Sequence, residues 1–510
     1  MLVTPPQSCT TSFDLEPCSY VVRKSDSSAH EIFSLKRHSS FGLGLRERAR
    51  PRTQQTGFDL RPLDTETRDR MAFDYKAIEA EVGNRDYFPN TNSVAYFDPQ
   101  SQTIHVNRIS KAVFQDALAK GDLPDLRQHL CTLLHEITHW ADLVGTTFGR
   151  DYLRTVYDAL RLLPEINSPG QEEQFYRFID LHDRTRRLML SRYYRTVNPS
   201  ARPHDLKQRW GIQLSAGCEF DTRGRQDLGR PIMFVRFLDN PSGDLVARQP
   251  IVVGALLEVN AMWSEMRAAM EIVGAMSEPE RTIEQALYDE EIRGYIYDPN
   301  LTLYTAPAHL LAHFAQITEI GDAYWLASAV AHIALNLSPD DFDKLVLPQS
   351  MQPWAALFDG FKLSQDRGFA FAIICAAASP WSEEQTVSEW LDRALNKAGL
   401  GASATILLTA LTSARSASVG DDKTLLGSAE RYLLSLGERI LEIRSAGDTA
   451  LTPNRVLREK LILPPVFDRN GDLITIAGGI FDIEQFSPAQ MHGIAAQLHT
   501  WTQNFIGACR

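Results

Sequence analysis

Between Asp122 and Gly145, apolar residues recur at spacings of three and four: Leu130, Leu133, Leu134, Ile137, Trp140, Ala141 and Val144. That spacing predicts a long helix with one broad apolar face. Asp122 supplies a cap, Pro124 falls in the first turn where its missing amide proton costs little, and Gly145 offers a stop. Upstream, NSVAYFDPQSQTIHVNR predicts two short strands, Val94–Phe97 and Thr103–Val106, around a turn at Asp98–Ser101. An earlier helix is predicted over Arg68–Val82. Downstream, IMFVRFLD and LVARQPIVV read as a hairpin around Asn240–Gly243, and the helical period returns from Val252 to Met276. Beyond Glu278, apolar helical stretches alternate with Pro, Gly and Ser breaks to about Leu463. A strand-like piece, Asp472–Phe481, and a last helix, Pro488–Trp501, complete the pattern. The fold class expected is α+β and predominantly helical, with an all-α C-terminal domain.

From Met1 to about Thr65 neither period appears, and Ser, Thr, Arg and Pro dominate. This reads as a disordered tail, and its stretch Arg23–Arg52 is locally basic at +5. Three regions are therefore expected. They are a basic tail over 1–65, a unit over 66–277 interrupted by a mixed insertion at about 163–250, and a mainly helical unit over 278–510.

Composition changes this picture only by exclusion. The 510 residues carry 52 Lys+Arg against 64 Asp+Glu, a net charge of −12, which argues against a general nucleic-acid or membrane-surface binder. Six cysteines lie far apart without a CxxC pair, so zinc ribbons and dense disulfide frameworks are excluded and a reducing, cytoplasmic compartment fits. The first residues lack a secretory signal, and no apolar run reaches the length of a membrane span. The basic tail is compatible with export by a specialised secretion system.

Candidate chemistry concentrates in HEITH, residues 135–139, inside the long helix. His135 and His139 stand at i and i+4, about 40° apart around a helix and one turn along it, so both imidazoles can reach one tetrahedral ion. Glu136 projects about 100° from His135, beside such an ion rather than onto it, where a carboxylate can take a proton from a bound water. At i±3 and i±4 of Glu136 stand Thr132, Leu133, His139 and Trp140, so no lysine or arginine on its own helix pairs with it. Cys131 lies one turn before His135 and reads as a packing residue. Asp142, three residues past His139, is a candidate acceptor for that imidazole's outer nitrogen.

HLCTLLHEITHWAD, preceded by VAYF and TIHV, resembles the zincin metallopeptidase superfamily over about Asn92–Gly145. The resemblance implies an edge-strand sheet beside an active-site helix, His135 and His139 as Zn²⁺ ligands, and Glu136 as general base in peptide hydrolysis. It also implies that an extended protein or peptide substrate would add to TIHV as a strand. The third ligand differs between branches. A metzincin extension would need Gly and His where Asp142 and Gly145 stand, and GTTFGRDY, 145–152, offers Asp151 only by a loose likeness to the aspzincins. A gluzincin-like site takes a Glu from a later helix. In GALLEVNAMWSEMRAAMEI the best-placed acid is Glu258, embedded in apolar positions. Glu265, seven residues on and on the same face, is either an acceptor that orients a ligand histidine or the ligand itself.

Two other readings remain beside the peptidase: a non-catalytic helical scaffold with a structural or degenerate metal site, and a zinc hydrolase of a non-peptide amide. Elsewhere, HLLAH (309–313) repeats the i,i+4 spacing without an intervening Glu, and reads as a core-covering helix face. Arg184, Arg186, Arg187, Arg192 and Arg195, with Tyr193 and Tyr194, could contact nucleic acid or an acidic substrate. A solvated amphipathic helix is the expectation there.

Overall fold

The computed structural model describes residues 94–508, apart from 164–171, 191–193, 200–208, 222, 417–422, 446, 475 and 477–478. The expected tail over 1–65 and the expected helix Arg68–Val82 lie outside the described residues. Strands β1 (Ala95–Asp98) and β2 (Thr103–Val106) lead to helices α1 (Lys111–Lys120), α2 (Leu123–Gly145), α3 (Thr147–Leu162) and α4 (Glu172–Met189). Strands β3 (Thr196–Val197), β4 (Gly211–Phe220), β5 (Gln226–Leu238) and β6 (Leu245–Pro250) follow. Helices α5 (Val253–Gly274), α6 (Glu278–Ile296), α7 (Thr302–Ala315), α8 (Ile320–Asn336), α9 (Pro339–Lys344) and α10 (Phe358–Leu363) come next. Then follow α11 (Arg367–Ala377), α12 (Val387–Lys397), α13 (Ser403–Ser416), α14 (Leu425–Ile443) and α15 (Pro453–Arg458). The last elements are β7 (Val466–Asp468), β8 (Leu473–Ile474) and α16 (Pro488–Ala508). The protein is thus predominantly helical with small sheets, an α+β fold.

Helix α2 starts where its sequence signals place it. The Asp122 side chain accepts from the Asp125 amide at 3.3 Å, and Pro124 occupies the first turn. From Cys131 onward every residue of α2 is buried, so its C-terminal half is a core element rather than an amphipathic cover. Helix α5 is apolar on nearly all sides and is buried along most of its length, as such helices must be. The two pack against each other, α7 and α8 pack on α5, and α14 packs on α2. At the α2–α14 crossing the backbones nearly touch. A β-carbon on Gly437 would overlap the carbonyl oxygen of Val144, and one on Gly145 would meet Ile440. One hydrophobic cluster extends from Ala95 to Leu498, so helices on both sides of residue 277 share a core.

The described strands form two four-stranded sheets, ordered β1-β2-β7-β8 and β3-β6-β5-β4. The second fills the expected insertion, and its strand β6 runs directly into α5, so it delivers that helix to α2. The first sheet corrects two expectations. TIHV is not an edge: β2 pairs antiparallel with β1 (Phe97 opposite Ile104) and parallel with β7 (Ile104 opposite Val466). The region beyond residue 278 is also not all helical, because it supplies β7 and β8 to that sheet. Strand VFD is too short to show a period in sequence, and its register is set by a partner more than 350 residues away. Among the described strands, the outermost one nearest α2 is β1. No described helix is long and apolar enough to cross a membrane.

Candidate metal centre

Helix α2 carries His135 and His139 one turn apart, and α5 carries Glu258 and Glu265 two turns apart on one face. The packing of the two helices turns these four side chains towards each other. His135 Nε2 lies 3.2 Å and His139 Nε2 3.4 Å from Glu258 Oε2. His135 Nδ1 lies 3.1 Å from Glu265 Oε2. One ligand atom from each of His135, His139 and Glu258 falls within 4.8 Å of the others, so the three could hold a metal ion, and all three are buried.

The electrostatics of the cluster are those of a site short of positive charge. Burial by itself would raise the Glu258 pKa, but the charge of His139 and the contacts with His135 outweigh it and hold the carboxyl down at about 2. Burial would likewise depress His135, yet hydrogen bonds to Glu258 and Glu265 and the charge of Glu136 push it up. Glu136 is raised by burial, against the pull of both histidines and of the Phe97 backbone amide on β1. Three carboxyl groups and two imidazoles therefore share one water-poor space. Neither ring nitrogen of His139 has a well-formed hydrogen bond, and neither does Oε2 of Glu136. Buried polar atoms left in this state cost about 1–3 kcal/mol each. A divalent cation between the imidazoles and Glu258 would supply the missing charge and occupy His139. The donor set of two nitrogens and one carboxylate oxygen suits an ion of zinc type.

Aromatic residues wall the cluster. The Tyr304 ring lies 6.3 Å from that of His135, and Tyr295 meets Tyr304 edge-on at 5.8 Å. Neither the Tyr295 nor the Tyr288 hydroxyl has a hydrogen-bond partner, and burial pushes both phenols well above their ordinary pKa. Sequence reasoning did not single out these tyrosines. They lie on α6 and α7, and only the folded packing of α7 against α5 brings them near.

The remaining candidates fall elsewhere. Asp142 does not meet His139. Its carboxylate receives Arg444 Nη1 at 2.5 Å and Asn260 Nδ2 at 2.9 Å. Cys131 is a buried free thiol outside the ligand group. Asp151 is exposed on α3. His309 Nε2 is at hydrogen-bond distance from the Ile296 carbonyl oxygen, 3.1 Å, and its ring packs among Trp210, Phe237 and Tyr297. Four of the arginines in the stretch 184–195 are engaged within the protein. Arg184 pairs with Asp180, Arg186 and Arg187 pair with Glu219, and Arg195 donates to the carbonyls of Pro299 and Asn300. Arg192 and Tyr193 lie outside the described residues. Compared with protein-family models, with curated proteins and with solved structures, the protein has no match in any of the three.

Proposed function

We propose that the protein is a zinc-dependent metallopeptidase of gluzincin-like type, with His135, His139 and Glu258 as the metal ligands and Glu136 as general base. The observation that carries the proposal is the convergence of Glu258, 119 residues past His139, on both histidines of the HEITH turn. Neither the pairing of the histidines nor the acid's position in α5 requires that meeting unless something is to be held there. A bound Zn²⁺ would lower the pKa of a coordinated water towards about 7 and polarise a substrate carbonyl.

The protein's own groups do the rest. Glu265 holds the Nδ1 side of His135, which fixes the ring so that Nε2 faces Glu258. Glu136 has one carboxylate oxygen without a partner and a pKa raised by burial, both of which suit a base that must accept a proton near neutrality. It takes the proton of the attacking water and returns it to the leaving amine. The Phe97 amide of β1 steadies the same carboxylate, which puts that strand beside the base.

The test is Glu136→Gln. Metal analysis should find one zinc per molecule in both proteins, and a proteomic comparison of cleavage products should find fragments with the native protein alone. Normal peptidase activity in Glu136→Gln, or native protein without stoichiometric zinc, would overturn the assignment.

A further inference from the structure

Asp142 leads away from the metal ligands into a second polar centre. Its two carboxylate oxygens bind one residue from each of two other elements, Arg444 just past α14 and Asn260 on α5. Asn260 Oδ1 accepts from Ser328 Oγ on α8 at 2.8 Å, and Ser328 Oγ lies 2.7 Å from Thr449 Oγ1. Arg444 Nε closes the ring by donating to the Thr449 carbonyl at 2.8 Å. Two residues on, the Leu451 amide donates to Ser264 Oγ of α5 at 3.0 Å. Arg455 stiffens the same segment through the carbonyls of Ile443, Asp448 and Ala450. Every member of the ring is buried, from Asp142, Ser264 and Ser328 at 0 % exposure to Arg444 at 2 %.

The placement of these residues is the point. Asp142 is three residues past His139, Asn260 two past Glu258, and Ser264 is the neighbour of Glu265. A closed polar ring therefore ties the two ligand-bearing helices together one turn from their ligands, by way of the segment 444–451. Apolar packing alone tolerates sliding between helices, whereas buried hydrogen bonds are satisfied in only one register. The geometry points to a positioning role. The ring of Asp142, Asn260, Ser328, Arg444 and Thr449 sets the register of α2 against α5, and with it the spacing of His135 and His139 from Glu258. This inference rests on the metal-site reading above. It assigns metal affinity to residues that touch neither metal nor substrate.

The experiment uses Co²⁺ as the probe, because its visible absorption reports coordination geometry directly. Full-length native protein is stripped with a chelator and titrated with Co²⁺, alongside Ser328→Ala, Asn260→Leu and Thr386→Ala. Ser328→Ala removes one hydroxyl and tests the ring should Asn260→Leu fail to fold. Thr386 caps α12 through Glu389, so its loss lowers stability without removing a hydrogen bond of the ring. The expected result is a Co²⁺ affinity at least about tenfold weaker in the two ring variants, with altered visible bands. Thr386→Ala should be destabilised yet bind with the native affinity and spectrum. Native affinity and spectrum in folded Ser328→Ala and Asn260→Leu would overturn the positioning role and leave the metal site standing. Failure of the native protein itself to bind Co²⁺ would overturn the metal-site reading and this inference with it.

Discussion

On the proposed metal site, stripping the ion should make stability fall as pH rises. In the metal-free protein His135 is wedged between Glu258 and Glu265, at 3.2 and 3.1 Å, and those contacts raise its pKa from 6.5 to about 10. The unfolded state releases that proton near 6.5, whereas the folded state keeps it to about 10. Between these values the native state binds one more proton than the unfolded state, so stability must fall as pH rises. The contribution is fully present below pH 6.5 and gone above about 10. Its slope for one proton is about 1.4 kcal/mol per pH unit, or nearly ~3 kcal/mol over two pH units above neutrality. The same contacts hold Glu258 low, so the two shifts describe one interaction and are not added. With zinc bound the ligating imidazole is neutral, the extra proton is absent, and the part of the slope due to His135 should vanish.

Urea unfolding of the full-length protein at half-unit steps from about pH 6.5 to 9.5, once with chelator and once with excess zinc, measures both slopes. A metal-free protein whose unfolding free energy is flat or rises over that range would refute the arrangement of His135 between two ionised carboxylates. Loading near neutral pH should also release about one proton per zinc, which unbuffered titration reads directly.

Three further outcomes follow from individual contacts. Glu265→Gln should weaken zinc binding by about 10–100-fold, because His135 loses the carboxylate that orients it, and equilibrium competition with a chelator measures this. The same variant should make the metal-free pH slope begin to flatten at lower pH. Gly437→Ala should destabilise despite a helix-propensity gain of up to about 1 kcal/mol, because its β-carbon would overlap the Val144 carbonyl and overpacking costs about 1–3 kcal/mol. A raised melting temperature in that variant would show that the α2–α14 crossing opens easily. His309→Phe should leave zinc at one per molecule and cost about 1 kcal/mol for the lost hydrogen bond to Ile296. A drop in bound zinc would mean that HLLAH takes part in holding the metal.

What the amino-acid pattern reveals here, and what it hides, follows from the range of each interaction. The cap at Asp122, the turn after β1, the hairpin of β5 and β6, and the period of α2 and α5 are written in neighbouring residues, so they are legible. The two histidines of the candidate metal group are legible for the same reason within HEITH, where a fixed helical geometry joins i to i+4. Glu258 and Glu265 stand out because an acid among apolar helix positions is costly unless something engages it, and each does meet an imidazole of α2. Asp142 is picked out only by its place three residues past His139, and that spacing does not say which partner it takes. Its partner, Arg444, is 302 residues away and lies in a segment with no period of its own. Strand β7 is hidden in the same way, since three residues cannot declare their register until β2 is beside them.

Both hidden features come from the C-terminal part of the protein, and both act on α2 or on the strands beside it. Strand β7 covers the side of β2 that would otherwise be an edge, in a sheet whose strand β1 lies beside Glu136. Arg444 neutralises a carboxylate on the very helix that holds both histidines. A truncation after Ser416 would remove β7 and Arg444 together. It would bare an edge of β2 and strand the Asp142 charge in an apolar core, a loss of about 3–5 kcal/mol from the buried pair alone. A C-terminal part serving only to select substrates would leave zinc binding intact when removed. The contacts made by β7 and Arg444 require instead that metal binding, measured as zinc per molecule in the truncated protein, be lost with it.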